Sequence, residues 1–181
     1  MRWLLLALAL AFAPAHADDA LWDALRQGGH VLYIRHSLTT PGVGDPSGFK
    51  LADCATQRNL SDEGRAQARR LGEALRSRKV PIGEVLSSPW CRCVETAQLA
   101  FGRAKTWAAL SNLHAREQNA DKQVRALRPR IAGHRGADNL VLVAHGSVAV
   151  ALLGERPAMG EVLVLQPQPP DFRVVGRLTL P

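Results

Sequence analysis

The chain has 181 residues, a formal net charge of +7, and 46% hydrophobic residues. This length is typical of one domain, and the apolar share is sufficient for a core, which excludes a wholly disordered chain. Three cysteines exclude a four-cysteine zinc site and a disulfide-rich miniature scaffold. Because 19 of the 23 basic residues are arginine, whose guanidinium group pairs with oxyanions through two hydrogen bonds, the charge favours an anionic partner.

Residues 1–17 predict a secretory signal peptide. Arg2 gives a positive start, residues 3–12 form an apolar run, and Ala15-His16-Ala17 has the small residues of a cleavage site. The run is too short to span a bilayer, and no later stretch reaches the roughly 18 apolar residues that a span needs. We therefore expect one mature domain at residues 18–181, without a membrane span, in the periplasm or secreted.

The remaining sequence predicts helices that alternate with strands. In chain order, we expect a helix at 19–27, a strand at 30–34, a loop at 39–50 and a helix at 61–78. A turn at Pro81 and Gly83 leads to a strand at 85–88, and helices at 89–101 and 121–132 follow. The last predicted elements are a strand at 139–144, a helix at 147–153, and strands at 161–165 and 173–180. Ala66, Leu71, Ala74 and Leu75 form the expected apolar stripe of the second helix. This alternation predicts an α/β fold with a mostly parallel sheet.

Histidine and arginine side chains follow three of the predicted strands. The first strand runs into Arg35-His36, the strand at 139–144 ends at His145, and the strand at 85–88 leads to Arg92 in the next helix. Because ligand sites of parallel sheets lie beyond the carboxyl ends of the strands, we expect these four residues to meet.

Two histidines and two arginines suit the chemistry of a phosphoryl group. Arginine forks can bind the phosphoryl dianion, and a neutral imidazole can attack phosphorus to form a phosphohistidine. A second histidine, when protonated, can donate a hydrogen bond to the phosphoryl oxygens. The sequence has no HExxH motif, no Asp-rich cluster and no P-loop, so we expect neither metal nor cofactor.

Four segments of the chain resemble the histidine phosphatase superfamily (phosphoglycerate-mutase-like, branch 1), in that family's order. They are Tyr33-Ile34-Arg35-His36-Ser37, LSDEGRAQA at 60–68, SSPWCRCVETA at 87–97, and VLVAHG at 141–146. The resemblance implies a three-layer sandwich with helices on both faces of the sheet. It also implies a phosphatase in which His36 is the nucleophile and Arg35, Arg92 and His145 complete the phosphate pocket.

Further site residues are expected near this pocket. The resemblance implies substrate contacts from Thr39 and Thr40, which follow the nucleophile, and Arg58 lies near the same mouth. Two positions depart from the family pattern: Ser37 replaces a glycine, and the stretch that usually carries the general acid has Asn112 instead of a carboxylate. Glu117 is our preferred substitute acid, with His114 and Asp121 as alternatives.

The three cysteines allow one disulfide. In an oxidising compartment, Cys54 can pair with either Cys91 or Cys93, and the sequence does not choose between the two partners. Either bond would brace the loop before the second helix against the helix that carries Arg92.

The sequence therefore predicts a short exported, metal-independent phosphatase that acts on a small phosphorylated substrate. By analogy with exported relatives, a cell-envelope sugar phosphate is one candidate substrate. The missing acid motivates an alternative, a non-catalytic phosphate- or glycan-binding member of the same fold. A third hypothesis is electrostatic binding to acidic surfaces, since residues 18–181 retain +6 of the net charge, although no specific nucleic acid is expected. The sequence gives no oligomeric state.

Overall fold

The computed structural model describes residues 15–42, 44–114 and 117–179, with the side chains of 15–18 and 117 left out. The predicted signal peptide at 1–17 therefore lies almost entirely outside the described residues. The described chain forms five α-helices, which are α1 (Ala15–Gln27), α2 (Asp62–Ser77), α3 (Cys91–Phe101), α4 (Ala120–Ala132) and α5 (Gly146–Leu153). It also forms six strands, which are β1 (Val31–Arg35), β2 (Ile82–Ser87), β3 (Lys105–Thr106), β4 (Asn139–Ala144), β5 (Val162–Gln168) and β6 (Asp171–Leu178).

Helix α2 begins as predicted, and its buried face agrees with the predicted apolar stripe in part. The hydroxyl of Ser61 accepts a hydrogen bond from the Gly64 N–H and caps the helix. The buried positions are Gly64, Ala68, Leu71, Gly72 and Leu75. Leu71 and Leu75 of the predicted stripe are buried, whereas Ala66 and Ala74 are only half-buried. Gly64 lies where the helix closely approaches the Leu38 carbonyl.

The start of α3 and the turn before β2 were also predicted wrongly. Pro89 lies outside α3, whose N-cap is Trp90 in an extended conformation. The chain stays extended there because the Ser88 N–H still donates to the Val143 carbonyl at 2.9 Å. Gly83 lies inside β2, where the register with β4 shifts between Ile82 and Val85, so the glycine marks an irregularity of the strand.

The sheet has the order β3-β2-β4-β1-β5-β6. Strand β4 lies between β1 and β2 and is parallel to both, and β3 is parallel to β2. The hairpin β5–β6 continues the sheet in antiparallel pairing from β1. The predicted α/β fold is thus confirmed, with a parallel half and an antiparallel half.

Helices cover both faces of this sheet and produce two cores. Leu32 and Ile34 of β1 pack on the side of α1, α2 and α3. Val31 and Tyr33, which alternate with them, pack on the side of α4 and α5. Strands buried on both faces read as continuous apolar runs, which explains why β1 and β4 were easy to predict. No helix among the described residues is long and apolar enough to cross a membrane.

Candidate active site

The two predicted histidines meet where β1 and β4 end side by side. Arg35 pairs with Ala144 in the parallel register, and the His36 N–H donates to the Ala144 carbonyl at 3.0 Å. This pairing brings the imidazoles of His36 and His145 to 5.4 Å between ring centroids. The expected meeting of strand ends is therefore present in the structure.

His36 is held in the form that a nucleophile needs. Its Nδ1 lies 2.9 Å from the Ser37 carbonyl oxygen, which can only accept, so Nδ1 carries the hydrogen and Nε2 has a free lone pair. The residue is 3% exposed, and this burial lowers the pKa of His36 to about 3, although the hydrogen bond with the Ser37 carbonyl raises it. The positive charges of Arg92 and Arg35 lower this pKa further. His36 is consequently neutral at ordinary pH.

His145 is also neutral at ordinary pH, so the donor role that the sequence analysis described for a protonated second histidine does not apply to the structure without a ligand. Burial lowers its pKa well below the usual value, and the neighbouring His36 and Arg92 act in the same direction. The Ser88 hydroxyl accepts from the Trp90 N–H at 3.4 Å and lies 2.8 Å from His145 Nε2. Ser88 can donate its own hydrogen to Nε2, and in that arrangement Nδ1 carries the hydrogen of His145 and is a donor.

Arg92 has a counter-ion that the sequence analysis missed. Its Nη1 and Nη2 contact the two carboxylate oxygens of Asp45 at 2.7 and 3.2 Å, and both side chains are almost fully buried. The Arg58 N–H and the Trp90 indole N–H also donate to this carboxylate, each at 3.1 Å. Burial alone would raise the pKa of Asp45, but the hydrogen bonds and charge of Arg92 keep it below the usual value. Asp45 is the one acidic residue in the predicted loop at 39–50, and the path of that loop was not predictable.

Three further arginines lie around a cavity of about 330 Å³ at this site. The predicted Arg35 and Arg58 line it together with Arg156, which the sequence analysis did not single out. Arg35 donates from Nη1 to the Pro157 carbonyl at 2.8 Å, and Arg58 donates from Nη1 to the Gly42 carbonyl. Arg156 lies in the segment between α5 and β5, outside every motif that the sequence analysis used.

The predicted substrate contacts Thr39 and Thr40 lie outside the cavity lining. Thr39 forms a bridge with Leu60, and its hydroxyl lies 3.8 Å from Met159 Sδ. Thr40 is exposed, and its N–H donates to the Asn59 carbonyl at 3.1 Å. These contacts hold the segment against the start of α2, so a role in substrate binding stays a prediction for both threonines.

The structure places Asn112 at the cavity, where the family pattern leads one to expect the carboxylate of the general acid. Asn112 lines the cavity, and its side-chain oxygen accepts from the Ser147 hydroxyl at 2.8 Å. His114 lines the cavity too, whereas Asp121 is exposed on α4 outside the lining. The side chain of Glu117 lies outside the described part of the chain, so its role as the acid stays a prediction.

Ser37 fits in place of the glycine that the resemblance leads one to expect. It is completely buried, and its N–H donates to the Thr96 hydroxyl at 3.1 Å. Within the described residues its own hydroxyl has no hydrogen-bond partner. The substitution therefore leaves the backbone contact intact and adds one unpaired polar atom, which costs about 1–3 kcal/mol when buried.

Of the two disulfides that the sequence allowed, the structure contains Cys54–Cys91, with the Cα atoms 5.7 Å apart. This bond joins the loop before α2 to the first residue of α3, next to Arg92. Cys93 is a buried free thiol, and burial raises its pKa to about 12, so it is not a nucleophile at ordinary pH. Across the described ranges, no group of three or more His, Cys, Asp or Glu side chains is arranged to hold a metal ion.

The fold and this site define a class, namely an α/β protein in which arginines and two neutral histidines line a cavity at the carboxyl ends of the parallel strands. The family model described as histidine phosphatase superfamily (branch 1) matches residues 33–117. This match assigns residues 33–117, which carry three of the four segments named in the sequence analysis, to the histidine phosphatase superfamily.

Solved structures share the fold at low sequence identity. The protein histidine phosphatase SixA complexed with tungstate has a TM-score of 0.56 at 17% identity, covering 83% of this chain and 96% of that chain. The open reading frame Rv3214 product from Mycobacterium tuberculosis has a TM-score of 0.61 at 16% identity, with the same coverages of 83% and 96%. Phosphoserine phosphatase from Entamoeba histolytica in complex with 3-phosphoglyceric acid has a TM-score of 0.61 at 13% identity, again covering 83% and 96%. A search among curated proteins found no match.

Proposed function

We propose that this protein is a phosphatase that hydrolyses phosphate monoesters through a phosphohistidine on His36. One observation carries the proposal: His36 is buried and neutral, and its Nδ1 is bound to the Ser37 carbonyl. Its Nε2 lone pair is thereby available in a cavity that arginines line. A neutral imidazole beside guanidinium groups can attack a phosphoryl group whose negative charge those groups offset.

Two displacements complete the reaction. First, His36 Nε2 donates its lone pair to phosphorus, and the bond from phosphorus to the ester oxygen breaks, so that the leaving group departs with that electron pair and takes a proton. Second, a water oxygen attacks phosphorus and loses a proton, the phosphorus–nitrogen bond breaks, and inorganic phosphate leaves with His36 restored. The Nδ1–H of His145 and the guanidinium of Arg35 can donate to the phosphoryl oxygens in both steps.

The comparisons support this type of chemistry. Two of the three neighbours named above are described as phosphatases. One was solved with tungstate, an oxyanion that resembles phosphate, and the other with 3-phosphoglyceric acid, a phosphate monoester. The shared fold, together with His36 and His145 at the ends of β1 and β4, makes a phosphatase the function that this site supports best.

The decisive experiment replaces the nucleophile. We expect His36→Ala to abolish phosphate release from an aryl phosphate, while the matched variant His134→Ala, at the end of α4, keeps wild-type activity. Wild-type protein quenched during turnover should carry phosphate in an acid-labile, alkali-stable form that the His36→Ala variant lacks. Activity retained by His36→Ala would reject the mechanism. Phosphate binding without turnover by the wild type would support the non-catalytic alternative, which Asn112 at the acid position favours.

The lack of a carboxylate among the described lining residues suggests a dependence on the leaving group. We propose that Glu117 supplies the proton where the leaving oxygen needs one. Glu117→Gln should then lower the rate with alkyl phosphates far more than with aryl phosphates, because a good leaving group departs without protonation. Equal losses for the two substrate classes would count against Glu117 as the acid.

We further propose that the protein works outside the cytoplasm. The predicted signal peptide at 1–17 and the Cys54–Cys91 disulfide both favour an oxidising compartment. Expression of the full chain followed by cell fractionation and N-terminal sequencing tests this proposal. We expect the mature N-terminus at Asp18 in the periplasmic or secreted fraction, and an unprocessed cytoplasmic chain would overturn it.

A cell-envelope sugar phosphate remains our candidate substrate. A phosphate-release screen over sugar phosphates, nucleotides, phosphoamino acids and acyl phosphates, run with the wild type and with His36→Ala, identifies the preferred class. We expect the highest kcat/KM among sugar phosphates, and a clear preference for another class would replace this candidate.

A further inference from the structure

The side chain of Asn112 is held at the cavity in one orientation. Its oxygen accepts from the Ser147 hydroxyl at 2.8 Å and from the His114 N–H at 3.2 Å. Because a backbone N–H can only donate, the atom that faces His114 is the oxygen, and the other branch of the side chain is the NH₂ group. Within the described residues, neither hydrogen of this Nδ2 has a hydrogen-bond partner. Asn112 therefore has an unused N–H donor at the cavity that His36 and His145 also line.

Two helices fix the segment that carries Asn112. The buried side chain of Gln123 on α4 donates to two carbonyls of the turn that precedes Asn112, at 2.7 and 2.8 Å. Ser147, in the first turn of α5, accepts from the Leu113 N–H at 3.1 Å while its hydroxyl donates to Asn112. The N–H donor is thus in place before a substrate binds, and a preorganised donor needs no rearrangement at the moment of reaction.

The position of Asn112 corresponds to the leaving-group side of the reaction. Asn112 and His114 line both the cavity of His36 and a neighbouring cavity of about 400 Å³, whose lining includes Phe49 and Trp90. His36 attacks phosphorus from the strand ends, and in an in-line displacement the leaving oxygen departs on the opposite side of phosphorus. This oxygen connects the phosphoryl group to the rest of the substrate, for which the neighbouring cavity provides room. The leaving oxygen therefore lies where the two cavities meet, beside Asn112.

We propose that Asn112 is a further catalytic residue, whose Nδ2–H donates a hydrogen bond to the leaving oxygen of the substrate. This inference rests on the proposed phosphatase function. As the bond from phosphorus to this oxygen breaks, its electron pair moves to the oxygen, and the hydrogen bond strengthens with the negative charge. The amide keeps its proton, so the leaving group takes one from solvent, or from Glu117 where it needs one to depart.

Aryl phosphates whose leaving groups differ in basicity test this role. In the series 4-nitrophenyl, 4-chlorophenyl and phenyl phosphate the leaving oxygen becomes more basic, and kcat/KM includes every step up to its departure. We expect Asn112→Ala to lower kcat/KM for phenyl phosphate about 100-fold, the lower end of the loss for one oxyanion-stabilising donor. The loss should be smaller for 4-nitrophenyl phosphate, whose leaving oxygen is the weakest acceptor. Equal losses across the series, or unchanged values, would overturn the proposal.

Asn112→Asp replaces the donor by an acceptor with almost no change in shape. The carboxylate would accept from Ser147 and His114 and stay ionised in a cavity that arginines line, so we expect a loss at least as large as in Asn112→Ala. Asn119→Asp is the matched control, because it makes the same change at an exposed asparagine at the start of α4, outside that lining, and it should keep wild-type kcat/KM. Activity of Asn112→Asp equal to or above that of the wild type would overturn the donor role.

Ser147 is a positioning residue for this reaction, because its hydroxyl acts through the side chain of Asn112. Ser147→Ala should lower kcat/KM for phenyl phosphate, by less than Asn112→Ala does. In the double variant Ser147→Ala should cause no further loss, since the amide that it orients is absent. The loss of the partner of the Leu113 N–H is common to both backgrounds and cancels in this comparison. Additive losses would overturn the positioning by Ser147.

Failure of hydrolysis is distinguishable from failure of the hydrogen bond. If the wild type releases phosphate from none of the three compounds, the proposed phosphatase function fails, and phenyl phosphate becomes a stable probe. The side-chain amide resonances of Asn112 in nitrogen–proton correlation spectra, identified by their absence in Asn112→Ala, then decide the inference. A downfield shift of one amide proton on addition of phenyl phosphate would support the hydrogen bond, and the absence of that shift would reject it.

Discussion

At the scale of single residues, Asp45 and Arg92 form a buried ion pair in the site. Their side chains are 5% and 2% exposed, and the carboxylate accepts from both Nη atoms of the arginine. The attraction within a buried ion pair roughly offsets the free-energy cost of removing both charges from water, so the intact pair adds little net stability. Removing one partner, however, leaves the other charge buried and uncompensated. The pair also fixes the guanidinium of Arg92 and leaves its Nε without a partner among the described residues.

We predict that Asp45→Asn destabilises the fold by about 3–5 kcal/mol, because the charge of Arg92 then has no counter-ion. The free energy of unfolding from denaturant titration measures the change. The control is Asp171→Asn, which removes the carboxylate of an exposed pair with Arg128 and should cost less than about 1 kcal/mol. Similar losses of unfolding free energy in the two variants would show that burial of the Asp45–Arg92 pair does not increase the cost of removing its carboxylate.

The residues of the site differ in how far the sequence could predict them. His36 and His145 were predictable because each directly follows a buried strand, and the ends of parallel strands meet. Asp45 and Arg156 were not, because each lies in a segment without a regular pattern. The position of such a side chain depends on the course of its loop through space, which neither periodicity nor spacing encodes.

At the scale of elements, the Cys54–Cys91 bond connects the parts that carry the site. It ties the loop that precedes α2, which includes Asp45 and Arg58, to the first residue of α3, which carries Arg92. A second contact reinforces it, since the Cys91 N–H donates to the Gln57 side chain at 3.0 Å. The bond closes a stretch with a sequence separation of 37, which corresponds to roughly 4 kcal/mol in the chain-entropy account of disulfides.

We predict that the denatured, unreduced protein has one titratable thiol, that of Cys93, and that reductant increases the number to three. Cys54→Ser/Cys91→Ser should lower Tm and raise KM for phosphate monoesters, because the loop loses its attachment beside Arg92. Thermal unfolding and steady-state kinetics measure the two effects. Three free thiols without reductant would contradict the bond, and an unchanged KM in the double variant would show that it does not position the loop.

The secondary structure elements were predictable to different degrees for physical reasons. Strands β1 and β4 are apolar on both faces, so their runs are continuous and unambiguous. Strand β3 has two exposed residues at the sheet edge, too short for any pattern to show. Helix α3 starts after Pro89 because the backbone of Ser88 still pairs with β4, a tertiary contact that local preference for proline at a helix start does not include.

For the whole molecule, the antiparallel half of the sheet is the part that the sequence left open. The pattern predicted strands near β5 and β6, but it did not give their place beside β1. That placement positions the segment before β5 at the site, because the Gly160 N–H donates to the Arg35 and His36 carbonyls, each at 3.1 Å. The hairpin therefore brings Arg156 to the cavity, which explains why a residue outside the family motifs lines the pocket.

The buried neutral histidines also govern how the whole molecule responds to acid. An unfolded histidine has a pKa near 6.5, whereas that of folded His36 is about 3, so between these values the unfolded chain binds a proton that the folded chain does not. Acidification in this window therefore favours unfolding, and the free energy of unfolding falls as the pH falls. Asp45, whose folded pKa is lowered, adds a loss of stability only below about pH 4, near the pKa of an unfolded aspartate.

We predict that the free energy of unfolding decreases between pH 6 and pH 4.5 with a slope that His36→Asn reduces by up to about 1.4 kcal/mol per pH unit, the limit for one proton. Denaturant titrations at several pH values measure the slope, which is independent of any uniform loss of stability in the variant. The variant His134→Asn, which replaces a half-exposed histidine outside the site, is measured alongside to compare the slopes. Equal slopes for wild type and His36→Asn would mean that His36 takes up its proton in the folded state, and a protonated imidazole has no Nε2 lone pair with which to attack phosphorus.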